Sequence, residues 1–314
     1  MDKKKERVIE IFGEMAKIHN TLGDEFRALA FIKAIRNIKE YSGPLDLTTL
    51  KQIPGVGAKL EIKIKEILET GKLHQLEDLK KHPQLKAINR LIKLKGFSLK
   101  GIKELIQKYD VRSPNDIKRL HKQGKIKLNK NQLLGLKYSD DLETKIPREE
   151  ITKIGKLIKK MLHKLSKTAK IEVVGSYRRK HYESGDIDMI LVDPKNKKDL
   201  LRKLVEELKH SNLVLGTFSF GDTKFSGIIK TPYSYRARQL DILFVPYEDY
   251  HTALLHFTGS GILNRRMRLI AKDKGYKLSE KGLFKGKKKI PIKSERQVFE
   301  ILNIPYLEPH ERES

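Results

Sequence analysis

Residues 171–192 read IEVVGSYRRKHYESGDIDMILV, and the reading of this stretch decides the fold of the second half of the chain. IEVV is an apolar-rich strand and DIDMILV, 186–192, a second one. With a side-chain period of two, Asp186, Asp188, Ile190 and Val192 point one way, and Ile187, Met189 and Leu191 the other. Both aspartates therefore share a face. In QLDILFV, 239–245, the same alternation sets Asp241 with Leu243 and Val245 and turns Leu240, Ile242 and Phe244 away. A neighbouring strand would then bring a third carboxylate beside the first two. Three clustered anions are costly without cations. Mg²⁺ favours a few carboxylates with water and substrate phosphates, and two such ions can stabilise both the attacking and the leaving oxygen of a phosphoryl transfer. The chemistry this predicts is nucleotidyl transfer. An aspartate pair alone is weak evidence, since acidic pairs also occur on solvated faces and in other metal enzymes.

The residues between the strands fit the same chemistry. Gly175 and Ser176 are small enough for backbone and hydroxyl donors to approach a triphosphate, Arg178 and Arg179 suit phosphate recognition, and Ser184-Gly185 turns into the carboxylate strand.

Composition sets the class. The 314 residues suffice for about two domains or several subdomains. A net charge of +27, from 67 Lys+Arg against 40 Asp+Glu, favours a polyanionic partner, nucleic acid before an anionic membrane surface, because the basic residues do not gather on one amphipathic anchor. There is no cysteine, which excludes disulfides, thiol catalysis and Cys-ligated zinc. MDKKKERVIEIF lacks the apolar core of a signal peptide and no apolar run approaches the ~20 residues of a membrane span, so a soluble intracellular protein is expected. KGKKKIPIK, 285–293, reads as a basic solvated hairpin before it reads as a nuclear import signal.

Residues 8–80 read as short helices separated by glycine and proline. In LTTLKQIPGVGAKLEIKIKEIL, 47–68, one helix ends, Pro54-Gly55-Val56-Gly57 turns tightly, and a second helix carries Leu60, Ile64, Ile67 and Leu68 on one face. This helix-hairpin-helix pattern offers the N–H groups of Gly55, Gly57 and a helix start to a phosphate without reading bases; an ordinary αα-hairpin is the bland alternative. INRLIKLKGFSLKGIKELIQKY, 88–109, is a poorer copy, with Gly96-Phe97-Ser98 at the turn. KYSDDLETKIPREE, 137–150, is polar and suggests a boundary. A helix over 148–167 follows it, and another at KKDLLRKLVEELKH lies between the acidic strands. In HFTGSGILNRRMRLIAKDKG, 256–275, a bend at Phe257–Ser260 precedes a helix with Leu263, Met267 and Ile270 on an apolar arc. Asn264, Arg265, Arg268 and Lys272 lie opposite, either a solvated face or a polycationic one.

Taken together these residues resemble the X family of DNA polymerases, typified by DNA polymerase beta, over nearly the whole chain. The matching pieces are IPGVGAK with TGKL, GLKY, IPREE, GSYRR with SGDID, GDTKF, LDI, FTGS with Asn264 and the MR that follows, and SERQVFEILNIPYLEP, in the family's order. The resemblance implies an α+β multidomain fold: an all-α helix-hairpin-helix region, a nucleotidyltransferase palm with a mixed sheet, and a C-terminal α/β subdomain. The implied divisions are a lyase-like domain over 1–78, a duplex-DNA-binding subdomain over 79–147, the catalytic palm over 148–247 and a nascent-base-pair subdomain over 248–314.

The resemblance also implies template-directed addition of deoxynucleotides at short gaps in base-excision repair. Two Mg²⁺ ions, with Mn²⁺ as the alternative, would be held by Asp186, Asp188 and Asp241. Ser176, Arg179, Ser184 and Gly185 would hold the triphosphate, Phe257 and Gly259 the sugar, and Asn264 the incoming base. Lys224, Arg265 and Arg268 would contact DNA, as would Gly55, Gly57 and Lys59 in the first domain, where a monovalent cation would sit at the hairpin. Lys63 matches the Schiff-base nucleophile of a 5′-deoxyribose-phosphate lyase, with His19 and Arg27 in its pocket. Gapped or nicked duplex DNA and deoxynucleoside triphosphates would be the partners of a monomer working in the nucleus or at a viral replication site.

Departures from the family pattern carry expectations too. Phe26 replaces a tyrosine of the lyase pocket, predicting a weaker lyase; His256 replaces the tyrosine before Phe257, Gly261 an aspartate and Arg265 a lysine. Gln239 and Leu243 stand where arginines would flank the third carboxylate, predicting a less gated and less faithful enzyme. A template-independent nucleotidyltransferase and a noncatalytic DNA-binding scaffold are the competing readings.

Overall fold

A computed structural model describes residues 3–197 and 199–313, so Met1, Asp2, Ser314 and Lys198 of the predicted helix KKDLLRKLVEELKH lie outside it. The chain divides into two compact units, residues 1–127 and 128–314.

The first unit is helical: α1 (Lys3–Leu22), α2 (Glu25–Glu40), α3 (Ala58–Thr70), α4 (His74–Lys81), α5 (Pro83–Leu91), α6 (Leu99–Tyr109) and α7 (Pro114–Lys122). Glycine does not break the chain as early as the sequence suggests. Gly13 lies inside the 20-residue α1, where Val8, Ile11, Phe12, Met15 and Ile18 keep the 3.6-residue spacing of a core-facing stripe. Burial of that stripe outweighs the ~1 kcal/mol that a mid-helix glycine costs. The stripe meets Phe31, Ala34 and Ile38 of α2 and Ile64 and Ile67 of α3 in one core, with Phe12 and Phe31 edge to face at 5.0 Å.

The second unit begins with α8 (Lys130–Lys137), α9 (Ser139–Glu143), β1 (Ile146–Pro147) and α10 (Arg148–Leu165). The elements of the central sheet and its connections follow in the order β2 (Lys170–Val173), α11 (Gly175–Arg178), β3 (Glu183–Ser184), β4 (Ile187–Val192), α12 (Asp199–His210), β5 (Val214–Phe220), β6 (Lys224–Ile229) and β7 (Arg238–Val245). The unit closes with α13 (Tyr250–Thr258), α14 (Gly261–Asp273), β8 (Tyr276–Ser279), β9 (Gly282–Lys285), β10 (Lys288–Ile290) and α15 (Glu295–Ile301). The polar stretch 137–150 belongs to the second unit. Two hydrogen bonds tie it to the start of β7: Ala237 N donates to Asp141 at 2.9 Å and Arg238 Nη1 to the Thr144 carbonyl at 3.1 Å.

Five strands form a mixed sheet in the order β2-β4-β7-β6-β5, in which only β4 and β7 run parallel. The predicted alternation separates its two faces. Ile187, Met189 and Leu191 of β4 with Leu240, Ile242 and Phe244 of β7 pack under the apolar sides of α10 and α12. On the opposite face Ile190 and Val245 pack with Val174, Ala253 and Leu254, which leaves the aspartate end of that face to the site. The last module packs α14 and α15 on the three-stranded antiparallel sheet β10-β9-β8, around Leu263, Met267, Leu283, Val298 and Phe299. Among the described residues, no helix is long and apolar enough to cross a membrane.

Candidate active site

The parallel pairing of β4 with β7 puts Asp188 directly opposite Asp241 in register, with Asp186 one residue ahead of β4. Adjacent strands lie ~4.8 Å apart, so the two opposed carboxylates share one small volume. Behind Asp188, Val174 N donates to the Asp188 carbonyl at 2.9 Å and joins the GS turn to the strand. Two features favour Gly175 there: its φ is +63°, and a Cβ would come to 3.0 Å from Asp188 Oδ2.

Asp241 is well partnered. Ser226 Oγ donates to its Oδ1 at 2.6 Å, Gln239 Nε2 donates to the same oxygen at 3.1 Å, and Lys224 Nζ lies 3.7 Å from Oδ2. Lys224, expected on DNA, thus stands against the third carboxylate. Gln239 serves Asp241 through a neutral amide, while the next residue back, Arg238, points to the other face and binds buried Glu150 at 2.7 and 2.8 Å. Hard carboxylate oxygens on adjacent strands suit Mg²⁺ in donor chemistry and placement. Among the described residues, however, no three acidic or imidazole side chains are drawn together as a ready-made metal cage.

The turn after β2 holds the residues expected on a triphosphate. Ser176 Oγ donates to Ser184 Oγ at 2.8 Å, so two hydroxyls expected on a triphosphate lie together. The pairing of β3 with β1 sets Ser184 opposite Ile146, and Lys145 Nζ lies 3.8 Å from where a Gly185 Cβ would sit. Lys145 is a cation the sequence reading missed, because nothing local ties it to Gly185.

The two arginines of GSYRR part company. Arg179 Nη1 donates to the Thr258 carbonyl at 2.8 Å and its Nε to Glu313 at 2.7 Å. A Cβ on Gly259, whose φ is +75°, would meet that guanidinium at 3.3 Å, so the FTGS bend packs on Arg179. Arg178, expected beside it on phosphate, is instead turned into the protein onto Glu295 at 2.6 Å and Thr258 Oγ1 at 2.7 Å. The reason is electrostatic: Glu295 is buried and is compensated by Arg178 together with Arg312, itself fully buried. Burial pushes the Glu295 carboxyl up, and the two guanidiniums more than offset it, holding it below the ordinary carboxylate range.

The helix after the bend behaves as its periodicity predicted. Ser260 Oγ caps α14 by accepting from Leu263 N at 3.2 Å; Leu263 and Met267 are buried, and Arg265, Arg268 and Lys272 are exposed. Asn264 Nδ2 donates to the His256 carbonyl at 2.7 Å and Arg268 Nε to the Asn264 carbonyl at 3.2 Å. His256 stands edge to face with Phe257 at 5.0 Å. Leu243, Phe257, His256 and Arg268 line a cleft of about 610 Å³, closed on another side by Glu280 and Lys281.

In the first unit, Gly55 (φ +79°) lets the hairpin turn approach Asn37, whose Nδ2 donates to the Pro54 carbonyl at 2.6 Å. Gly57 is the N-cap of α3 and has no side chain to bond the first-turn N–H groups. The helix before the turn shrinks to one 3₁₀ turn, Leu50–Gln52, because Asp46 and Thr49 bond the local backbone instead. On α3, Lys59 is exposed and Lys63 half-buried, and the charge of Lys63 is felt by His19 and Glu66. His19 is buried and stacked on Phe31 at 5.7 Å, its Nδ1 lies 3.5 Å from Asp24 Oδ2, and its Nε2 has no hydrogen-bond partner among the described residues. Burial pulls its pKa down. Arg27 joins the same Asp24 at 3.1 Å, whereas Phe26 is 86% exposed.

Comparison with known proteins follows the same modular order. A helix-hairpin-helix domain model matches residues 3–73, the DNA polymerase beta palm model 145–247 and the DNA polymerase beta thumb model 253–313. The chain is 32% identical over 331 aligned residues to DNA polymerase lambda of Arabidopsis thaliana, covering 97% of the chain and 61% of that protein. It is 31% identical to DNA polymerase lambda of Rattus norvegicus, covering 95% and 54%. It is also 27% identical to DNA nucleotidylexotransferase of Xenopus laevis, covering 91% and 64%. The chain thus spans somewhat over half the length of the curated relatives it matches. With three modules in one order and alignments over nearly its whole length, the chain belongs to the X family of DNA polymerases.

Proposed function

We propose that the chain is a DNA-directed DNA polymerase that fills short gaps during base-excision repair and also removes a 5′-deoxyribose phosphate. The observation that carries the reading is the register of Asp188 against Asp241 beside a tight, left-handed glycine turn. Asp186, Asp188 and Asp241 would hold two Mg²⁺ ions, or Mn²⁺, which supply charge stabilisation to the phosphoryl transfer and lower the pKa of the attacking hydroxyl. Ser176 and Ser184 present hydroxyls to the triphosphate, Arg179 and Lys145 present charge, and Gly185 leaves room for it. Phe257 and Gly259 flank the sugar. Asn264, Arg265 and Arg268 line the side of α14 that faces away from its core, where a base pair and the template strand would lie.

In the first unit Gly55, Gly57 and Lys59 would hold a phosphate of gapped or nicked duplex, with a monovalent cation at the turn. Lys63 would be the nucleophile on the deoxyribose, with His19 and Arg27 beside it. The four expected divisions, at 78, 147 and 247, describe how these tasks are shared by a monomer acting where cellular DNA is repaired, the nucleus or a viral replication site.

Template-independent addition is the second reading, since one relative is named a nucleotidylexotransferase. The helix-hairpin-helix pattern and the polar face of α14 favour template-dependent synthesis. One substrate tests both activities: a one-nucleotide gap bearing a 5′-deoxyribose phosphate. Incorporation of the templated nucleotide should fall at least ~10³-fold in Asp188→Ala, and borohydride trapping should vanish in Lys63→Ala while its synthesis persists. Undiminished synthesis by Asp188→Ala, or addition indifferent to the template base, would overturn the reading.

A further inference from the structure

The basic run near the C-terminal end is built as a β-hairpin. β9 ends at Lys285, β10 starts at Lys288, and Gly286 (φ +59°) with Lys287 makes the two-residue turn. Lys285 and Lys288 are direct cross-strand partners, an arrangement in which like charges repel and destabilise the pair. All three lysines are exposed, and among the described residues they make no ion pair; Lys285 has only the Tyr276 ring, 5.8 Å from its ammonium. Lys272, Lys274, Lys277, Lys281 and Lys293 are exposed around them, with Asp273 the exposed acid in the same stretch.

Lys289 shows the contrast. Its ammonium pairs with Asp249 and its stem packs where a Gly282 side chain would be. One lysine of the run builds the fold, and its neighbours are held outward at a cost that the hairpin itself does not repay. At the other end of β9, Glu280 and Lys281 line the cleft shared with Phe257 and Arg268. With ~3.4 Å per residue, the lysine turn stands roughly 10 Å beyond that cleft.

We propose that Lys285, Lys287 and Lys288 form a second contact with the DNA phosphate backbone, outside the catalytic cleft. The proposal rests on the reading that DNA is the substrate. Repulsion between opposed cations is relieved when a polyanion lies across them, and phosphates neutralised this way release condensed counterions. A receptor that reads a basic run as an extended peptide is the alternative partner. It fits less well, because the β9–β10 ladder occupies this backbone and anchors it at Leu283, which is fully buried.

The test is the whole chain carrying Lys285→Ser, Lys287→Ser and Lys288→Ser together, titrated with gapped duplex over a range of salt. The slope of log K against log salt should become shallower by about 2–3, at ~0.9 for each phosphate no longer neutralised, and affinity at low salt should fall roughly tenfold or more. Single-nucleotide insertion at saturating DNA should be unchanged. An unchanged slope overturns the proposal, and loss of nuclear accumulation of the tagged variant with an unchanged slope assigns the hairpin to an import receptor instead. If the parent binds DNA but inserts no nucleotide, the polymerase reading fails while the slope comparison still decides this one.

Discussion

The phosphate sites proposed for the helical first unit and for the second unit are built in opposite ways. At Pro54–Gly57 the donors are backbone N–H groups at the start of α3, and the parts that shape them lie within a short stretch of chain apart from Asn37. At the GS turn the donors are side chains, and what fixes them is remote: Thr258 and Glu313 hold Arg179, Ser184 holds Ser176, and Glu295 claims Arg178. The difference teaches that a phosphate site made of main chain can be specified by a few adjacent glycines, whereas one made of side chains requires the tertiary fold to be correct first.

The largest expected effect tests that dependence. Arg312→Met leaves the buried Glu295 with one cation instead of two and should cost the chain about 3 kcal/mol, read by chemical denaturation. Because Arg178 then has to serve Glu295 alone, the Michaelis constant for the deoxynucleotide should move as well, while binding through the helix-hairpin-helix should not. A variant as stable as the parent would break the comparison.

The next effect belongs to the first unit and to pH. Burial lowers the pKa of His19 from its ordinary 6.5, so on acidification the unfolded chain takes up the proton before the folded one does. The stabilisation from neutral His19 is therefore fully present above about pH 6.5 and is lost as pH falls through the folded value. The melting temperature of the helical unit should drop between pH 7 and pH 5 in the parent and drop less in His19→Phe, which keeps the stack on Phe31. The second unit should also lose stability over this interval, because burial lowers the pKa of His251 and His256 in the same sense, whereas Glu295, with its carboxyl held below the ordinary range, keeps its contribution until pH falls through the carboxylate range.

The smallest effect is on accuracy. Gln239 meets Asp241 with a neutral amide, and Leu243 faces the cleft beside Phe257, so no arginine at these two positions competes for the carboxylates. Leu243→Arg should lower misinsertion by a few fold, a change on the order of 1 kcal/mol in relative barrier heights, measured as the ratio of specificity constants for right and wrong nucleotides. Equal ratios would end the idea that this position loosens gating.

What was legible in the sequence was what repeats or sits close together. The period of two placed Asp186, Asp188 and Asp241 on one side of their strands and separated two cores, and the helical period sorted Leu263 and Met267 from Arg265 and Arg268. Nothing local announced that Glu313 would meet Arg179 and His181, that Lys145 would come beside Gly185, or that Arg178 would be spent on Glu295. Those pairs are set by how elements pack, and a lysine or glutamate has no spacing that reveals its partner. Helix length was misjudged for a related reason: Gly13 looks like punctuation until the stripe it interrupts is seen to be buried.

The Arg178–Glu295–Arg312 cluster also has a meaning for heat. It ties the turn after β2 to α15 and to the segment after it, so it fastens the palm to the last module of the same unit. The penalty for taking charges out of water shrinks on warming, while the gain from burying apolar surface levels off. This joint therefore supplies a growing share of the cohesion of the catalytic unit as temperature rises, and the seam between its two modules should be among the last parts of that unit to yield.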